Sequence, residues 1–327
     1  MTYVVTGATG FLGGHLLDTL VATGRPVRAL VRDALRAEEL RYRGVDVRLG
    51  DIRDAPSVVD LVADVSVVFH AAAARGSPPP RAEVRSTNRA GLQNLVKAIG
   101  STGFCARLIF VSGLSVLGLR DLVSATEDFP LQRSGDIEAD TKIEAERLIR
   151  DAHESSGLDA VILRPGIVYG PGDENLSQLR RAVQEGKFAY IGSRENIVPL
   201  VHVGDFVQLA LMAANRPETR GRIYHVTDGS TTKIQEIVEI LAELTGSPKP
   251  QLVLPYFVPY IGCVLFETFN RLHLRSKPGP IDRAALRFLG TSRSVSIQRA
   301  RDELGFSPQV SIRDGLQFDL KTTERTS

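Results

Sequence analysis

The sequence predicts an α/β fold, a doubly wound parallel sheet with a smaller C-terminal part. Three observations carry that expectation. A β-branched run at Tyr3–Thr6 is followed at once by Gly7, Gly10 and Gly13, and then by apolar residues at helical spacing, Leu12, Leu16, Leu17 and Leu20. Short apolar runs alternate with helical patterns through the first half of the chain, the order that builds βαβ units. The 327 residues, 43% hydrophobic and 24% charged, suffice for one large α/β domain or a nucleotide-binding domain plus a smaller one.

The elements follow in order. Tyr3 to Thr6 reads as a buried strand. Gly7 permits the tight turn after it, Gly10 lets the backbone approach a pyrophosphate, and Gly13 lets the helix pack close to the strand. The helix N-terminus then presents unpaired N–H groups to phosphates. This is the dinucleotide fingerprint of a Rossmann-type sheet, with Thr9, Phe11 and Leu12 in the same turn. Val27 to Val31 is the second strand, after Gly24 ends the first helix. An NAD site wants an acid about 20 residues past the glycines for the ribose 2′-hydroxyl. Val31 and Arg32 stand there instead. An Arg fork matches a 2′-phosphate, so NADP(H) is favoured over NAD(H). Asp33 can cap the helix that follows.

Val45 to Leu49 and Val65 to Phe69 are the third and fourth strands. Asp51 and Ile52 follow the third, and a carboxylate there can accept a hydrogen bond from an adenine amino group. Ala71, Ala72 and Ala73 follow the fourth, small enough for the backbone to pass close to a cofactor; His70 reads as a packed residue. Ser77 to Pro80 is a loop. One long helix is expected over 84–99, with Asn88 in a polar role because Asn is a mediocre helix residue. Arg107 to Ser112 is the fifth strand, Ile137 to Ser156 a long helix, and Ala160 to Arg164 the sixth strand. Val198 to Val203 and Arg222 to Val226 return to the sheet. Ile234 to Leu244 is a helix opened by Thr231, Thr232 and Glu236 and ended by Gly246. The expected division is a cofactor domain over 1–174, with returning elements near 198–228, and a mainly substrate-binding part over 175–327.

The string Thr-Gly-Ala-Thr-Gly-Phe-Leu-Gly at 6–13 resembles the extended short-chain dehydrogenase/reductase family, which includes NAD-dependent epimerases and dehydratases, dihydroflavonol reductases and 3β-hydroxysteroid dehydrogenases. The resemblance recurs at Val-Arg-Asp 31–33, which looks like the NADP-using reductases, and at 87–95, where it gives Asn88 the support of an active-site water or backbone. It recurs again at Arg164 to Asp173, which implies a loop beside the nicotinamide containing Pro165 and Tyr169, and at 198–206 and 296–308. It implies the adenine role for Asp51. It fails at two positions. The family reads Ser-Ser-x-x-Val-Tyr-Gly after the fifth strand, and this chain has Ser112-Gly113-Leu114-Ser115. The family reads Tyr-x-x-x-Lys on the next helix, and this chain has Glu138 four residues before Lys142.

A Tyr beside a Lys can donate a proton to the alkoxide left by hydride transfer. Glu has a reference pKa of about 4.3 against about 10 for Tyr, and a neighbouring Lys favours its charged form. Glu138 is therefore a fair base and a poor acid. The catalytic candidates are Glu138, Lys142, Ser112 or Ser115 as a stand-in hydroxyl and Tyr169 as a replacement acid; Lys142 and Pro165 are also expected to contact the cofactor. The expected function is NADP(H)-dependent reduction or dehydrogenation of a hydrophobic ketone or alcohol with an altered proton relay. The alternatives are a non-redox isomerase, dehydratase or cyclase using Glu138 as general base, and a non-catalytic nucleotide-binding protein.

The apolar, aromatic stretch 254–272, with Tyr256, Phe257, Tyr260, Phe266 and Phe269, is expected to form a helix walling the pocket; a dimer interface or a membrane-surface patch are the rivals. A net charge of +2 without a dense basic run argues against nucleic acid. Cys105 and Cys263 form neither a metal-ligand spacing nor a disulfide framework, so no metal is expected. A strand at residue 3 leaves no room for a signal peptide, and no run is long and apolar enough to span a membrane, so a cytoplasmic enzyme, possible as a homodimer, is expected.

Overall fold

The computed structural model describes residues 1–74, 81–101, 106–263, 286 and 290–324. Among the described residues thirteen strands run in order: β1 (Tyr3–Thr6), β2 (Val27–Val31), β3 (Asp46–Leu49), β4 (Val67–His70), β5 (Arg107–Val111), β6 (Leu122–Ala125), β7 (Ala160–Pro165), β8 (Ile167–Tyr169), β9 (Tyr190–Ile191), β10 (Leu200–His202), β11 (Ile223–Val226), β12 (Val253–Leu254) and β13 (Arg293–Val295). Seven of them form one sheet in the order β11-β7-β5-β4-β1-β2-β3, every neighbouring pair parallel. The chain order reverses between β1 and β4, and a doubly wound sheet binds its ligand in the crevice outside the strand ends at that switch.

The helices explain why both faces are buried. They are α1 (Phe11–Ala22), α2 (Ala34–Tyr42), α3 (Ala55–Val62), α4 (Arg81–Arg85), α5 (Leu92–Ser101), α6 (Ile137–Ser156), α7 (Glu174–Gln184), α8 (Val203–Asn215) and α9 (Ile234–Thr245). On one face Leu16, Leu17 and Leu20 of α1 pack with Phe206, Leu209 and Ala213 of α8; on the other Val58, Leu61, Leu95 and Ile149 pack from α3, α5 and α6. Asp33, Asp54, Asp136 and Asp173 cap α2, α3, α6 and α7 with side-chain hydrogen bonds to backbone N–H groups.

The helix expected over 84–99 is three pieces, with a π-turn at Ser86–Gly91 between α4 and α5. A π-turn inserts an extra residue, and here it aims Asn88 inward: its Oδ1 accepts from the Ala74 N–H at 2.9 Å, and its Nδ2 donates to Thr141 Oγ1 at 3.3 Å. Asn88 thus ties the segment after β4 to α6. Towards the C-terminus, the helix Gln298–Leu304 packs its Ala300 and Leu304 into the same cluster as α1 and α8. A separate apolar cluster joins Tyr169, Leu176, Tyr190, Val198, Ile237 and Leu241. The α9 N-cap is Lys233, one residue past the expected threonines, while Glu236 Oε1 accepts from the Lys233 N–H at 3.4 Å and Gly246 closes the helix in the left-handed conformation.

The expected apolar wall lies partly outside the described residues, Phe266 and Phe269 among them. Its described part starts a helix at 257–263, where Phe257, Val258 and Ile261 are exposed, and Tyr256 stacks on Tyr260 at 5.9 Å. None of these described residues lines the cleft between the strand ends. The loop expected at 77–80 and Cys105 also lie outside the described residues. No described helix is long and apolar enough to cross a membrane.

Candidate active site

The cleft at the carboxyl ends of the strands has a volume of about 590 Å³. One half of it is built by the glycine turn. Gly7 has φ +75°, and a Cβ there would lie 2.8 Å from both Ala71 C and Ala72 N. The Ala71–Ala73 backbone therefore runs directly against the turn, anchored by the Ala71 N–H bond to Thr6 O at 3.2 Å. A Cβ on Gly13 would lie 2.1 Å from Gly7 O, so only glycine lets α1 start this close to β1. Gly10 caps α1 without a side chain, and its N–H donates to Gly7 O at 2.9 Å. The result is a helix N-terminus with backbone donors facing the cleft, beside Thr9, Phe11 and Leu12. Behind the turn, His15 on α1 has its Nε2 2.9 Å from Pro171 O.

Arg32 is exposed at the end of β2 and lines the cleft. Asp33 caps α2 through the Arg36 N–H at 3.0 Å, so the two neighbours divide the work. Asp51 also lines the cleft. The hydrogen bond from the Arg53 side chain, Nε to Oδ1 at 2.9 Å, holds the Asp51 carboxyl below its ordinary value, and the charge of Arg32 acts in the same direction. Arg53 was not among the sequence candidates. The turn is fixed from outside by Asn94, whose Nδ2 donates to Ile52 O and Arg53 O at 3.2 and 3.0 Å. Ile52 is buried against Gly91, where a Cβ would come within 2.8 Å of it. A turn of glycines, a cationic residue at the end of β2 and an acid after β3 form a site shaped for a dinucleotide.

The other half carries the reactive groups. Lys142 Nζ donates to Ser112 O at 3.0 Å and stands 3.4 Å from Glu138 Oε1, one turn earlier on α6. Glu138 is 37% exposed and faces the cleft. Gly113 lies opposite: a Cβ there would sit 3.4 Å from Lys142 Nζ, 3.7 Å from Ser115 Oγ and 3.9 Å from Pro165 O. Glu83, Asp136 and Asp173 join Glu138 in the lining, Asp136 and Asp173 with carboxylates that also cap α6 and α7. Sequence reading missed the first three because they come from three different elements.

Two sequence candidates are placed away from the role expected of them. Ser112 is 1% exposed and its Oγ donates to Glu146 Oε1 at 2.6 Å, so this hydroxyl is turned down into the fold and does not stand in for the missing serine. Glu146, fully buried, is held by Arg164 through Nε at 3.0 Å and Nη2 at 2.7 Å, while Arg164 Nη1 donates to Glu127 O at 3.0 Å. Glu146 lies one turn beyond Lys142, a spacing that hints at this ladder. Tyr169 is the second correction. It is 3% exposed, packs edge-on against His202 at 5.4 Å and sits in the Tyr190–Leu241 cluster, not in the cleft lining. Burial pushes its phenol up, well away from proton donation near neutrality. His202 caps α8 through Nδ1 to the Gly204 N–H at 3.1 Å. His70 is packed as expected: its Nδ1 lies 2.7 Å from Thr6 Oγ1, its ring stacks on Phe110, and burial pushes it down to about 4. Among the described residues no group of three or more His, Cys, Asp or Glu could hold a metal ion.

Known proteins resemble this chain in sequence and fold. A model of the NAD dependent epimerase/dehydratase family matches residues 3–227. A ketoreductase of Stigmatella aurantiaca, named for 4-hydroxy-2-methyl-3-oxo-4-farnesyl-3,4-dihydroquinoline-1-oxide, is 30% identical over 97% of this chain and 95% of its own. A 2-alkyl-3-oxoalkanoate reductase of Stenotrophomonas maltophilia is 31% identical over 97% of this chain and 98% of its own. Among solved structures, MoeE5 in complex with UDP-glucose and NAD superposes with a TM-score of 0.77 at 26% identity over 100% of this chain and 99% of that one. The UDP-glucose 4-epimerase of Thermotoga maritima reaches 0.79 at 21% identity, with 100% and 99% covered, a likeness of fold.

Proposed function

The chain belongs to the NAD-dependent epimerase/dehydratase family of extended short-chain dehydrogenases/reductases, and on that premise we propose that it is an NADP(H)-dependent reductase or dehydrogenase acting on a hydrophobic carbonyl compound or alcohol. The observation that carries the proposal is the intact cofactor half of the cleft, with Arg32 rather than an acid at the end of β2. The Gly7, Gly10 and Gly13 turn would hold the pyrophosphate, Arg32 the 2′-phosphate, Asp51 the adenine edge, and Lys142 the ribose beside the nicotinamide. When bound, the cofactor supplies or takes a hydride.

The chain's own residues do the rest. Lys142, fixed by Ser112 O, keeps a positive charge at the reacting end. Leu114, Ile167 and Val168 give that end apolar surface. Carboxylates outnumber cations in the cleft lining, Asp51, Glu83, Asp136, Glu138 and Asp173 against Arg32 and Lys142, which opposes a substrate that brings its own diphosphate or carboxylate and supports a neutral, hydrophobic one. The alkyl and farnesyl substrates in the names of the two reductase relatives point the same way. Glu138 in place of a tyrosine favours one other reading, a non-redox isomerase, dehydratase or cyclase with Glu138 as base.

Calorimetric titration of NADPH and NADH tests the cofactor assignment. Removing a charge-assisted contact costs ~1.5–3 kcal/mol, so Arg32→Ala should weaken NADPH on the order of 10- to 100-fold and leave NADH nearly unchanged. Equally tight binding of both cofactors by the unsubstituted protein would refute it. Turnover of a hydrophobic substrate without loss of the reduced-nicotinamide absorbance would favour the non-redox reading.

A further inference from the structure

The geometry points to a second substrate class for this cleft: a hydrophobic iminium ion, reduced at its C=N bond. The inference rests on the reading of the protein as a nicotinamide-dependent reductase. Its warrant is the side chain at the position where a proton donor is needed for ketones. Glu138 stands one helical turn from Lys142, ion-paired at 3.4 Å, 37% exposed and facing the cleft. Gly113, across from it, brings no hydroxyl. Of the other hydroxyls that the sequence offers, Ser112 is engaged on Glu146 and Tyr169 lies in its apolar cluster. Ser115 lines the cleft on the Gly113 side, 3.7 Å from where a Gly113 Cβ would sit, but it is an alcohol, far too weak an acid to take the place of a tyrosine.

A ketone that gains a hydride becomes an alkoxide and must take up a proton. A carboxylate neither supplies that proton readily nor tolerates the growing negative charge. An iminium ion makes the opposite demand. Its carbon forms a new C–H bond with a hydride, and the C=N π pair returns to nitrogen as a lone pair. The product is a neutral amine. No proton moves in the step, and the two electrons come from a reduced nicotinamide, which is oxidised. Positive charge is present at the start and disappears, so a nearby carboxylate helps by binding and orienting the cation. Asp136, two residues before Glu138, and Glu83 and Asp173 on other elements line the same cleft, so carboxylates outnumber cations in its lining. Leu114, Ile167 and Val168 supply the apolar contact that a bulky iminium ion needs.

The test uses the full-length protein loaded with NADPH, whose binding is first measured by itself. Two probes on the same fused six-membered ring frame are then titrated calorimetrically: N,N-dimethyl-tetrahydroisoquinolinium, a cation that cannot accept a hydride, and neutral α-tetralone. The cation should bind about 10-fold tighter, within the range of a partly desolvated ion pair. Glu138→Gln should reduce that preference to within about two-fold, while Glu138→Asp should retain most of it. NADPH consumption with N-methyl-dihydroisoquinolinium, above the rate in buffer, should exceed that with α-tetralone. Equal binding of the two probes to NADPH-loaded protein, or tighter binding of the ketone, overturns the inference and leaves the reductase reading standing. Failure of NADPH to bind overturns the reductase reading and the inference with it.

Discussion

Restoring the missing donor pair should convert this cleft into a ketone reductase of the ordinary family pattern. The perturbation is Gly113→Ser with Glu138→Tyr. Gly113 has φ 178° and ψ 159°, extended backbone that any residue adopts. The added Cβ meets nothing closer than Lys142 Nζ at 3.4 Å, so the serine enters without moving the backbone and lies next to the lysine. Position 138 is in the first turn of α6 and 37% exposed, so a tyrosine fits there and shares a face with Lys142. The substitution removes a partly exposed ion pair worth at most about 1 kcal/mol. A positioned acid contributes ~10²- to 10⁴-fold, which at about 1.4 kcal/mol per decade is roughly 3–5 kcal/mol of the barrier. The assay follows NADPH absorbance with a long-chain 3-oxo ester, separating kcat from KM, with NADPH affinity measured alongside. The gain should fall on kcat, and neither single substitution should reach the double. A double variant that folds and binds NADPH as before but reduces the ester no faster would refute the assignment of Gly113 and Glu138 to the donor positions.

Two further outcomes concern stability. Arg164→Met leaves the Glu146 carboxylate, 0% exposed, without its counter-charge; the loss should be about 3–5 kcal/mol by urea denaturation, and a loss below ~1 kcal/mol would show that the ladder under Ser112 is not needed. Burial pushes His70 down to about 4 and His225 to about 3, below the ordinary 6.5 or so, which means that the unfolded chain takes up protons first as pH falls. Stability should therefore be full above about pH 6.5 and decline towards pH 4, by on the order of 3 kcal/mol for His70 alone. His70→Asn should flatten part of that slope, and a urea midpoint equal at pH 7 and pH 4.5 would exclude the coupling.

What the sequence determined by itself is what is made by neighbours in the chain. The glycine turn is such a feature: Gly13 meets Gly7, six residues away, and the steric conflict a Cβ would cause is decided within one strand–turn–helix unit. Arg32 after β2, Asp33 as a cap, and the Glu138–Lys142 pair one turn apart are likewise matters of local spacing. The tertiary structure alone decided which groups meet across the fold. Ser112 Oγ could have faced the cleft, but Glu146, 34 residues on, takes it, and Arg164 from β7 holds Glu146. Asn88 reaches Ala74 and Thr141 only because the π-turn rotates it. Tyr169 belongs by sequence to the cofactor loop, yet β8 pairs with β10 and carries it into a second core. Glu83, Asp136 and Asp173 converge on one cleft from three elements whose only common cause is the strand order of the sheet. Local steric and hydrogen-bond rules act over a few residues, whereas that order is set by burying both faces of a twisted parallel sheet at once.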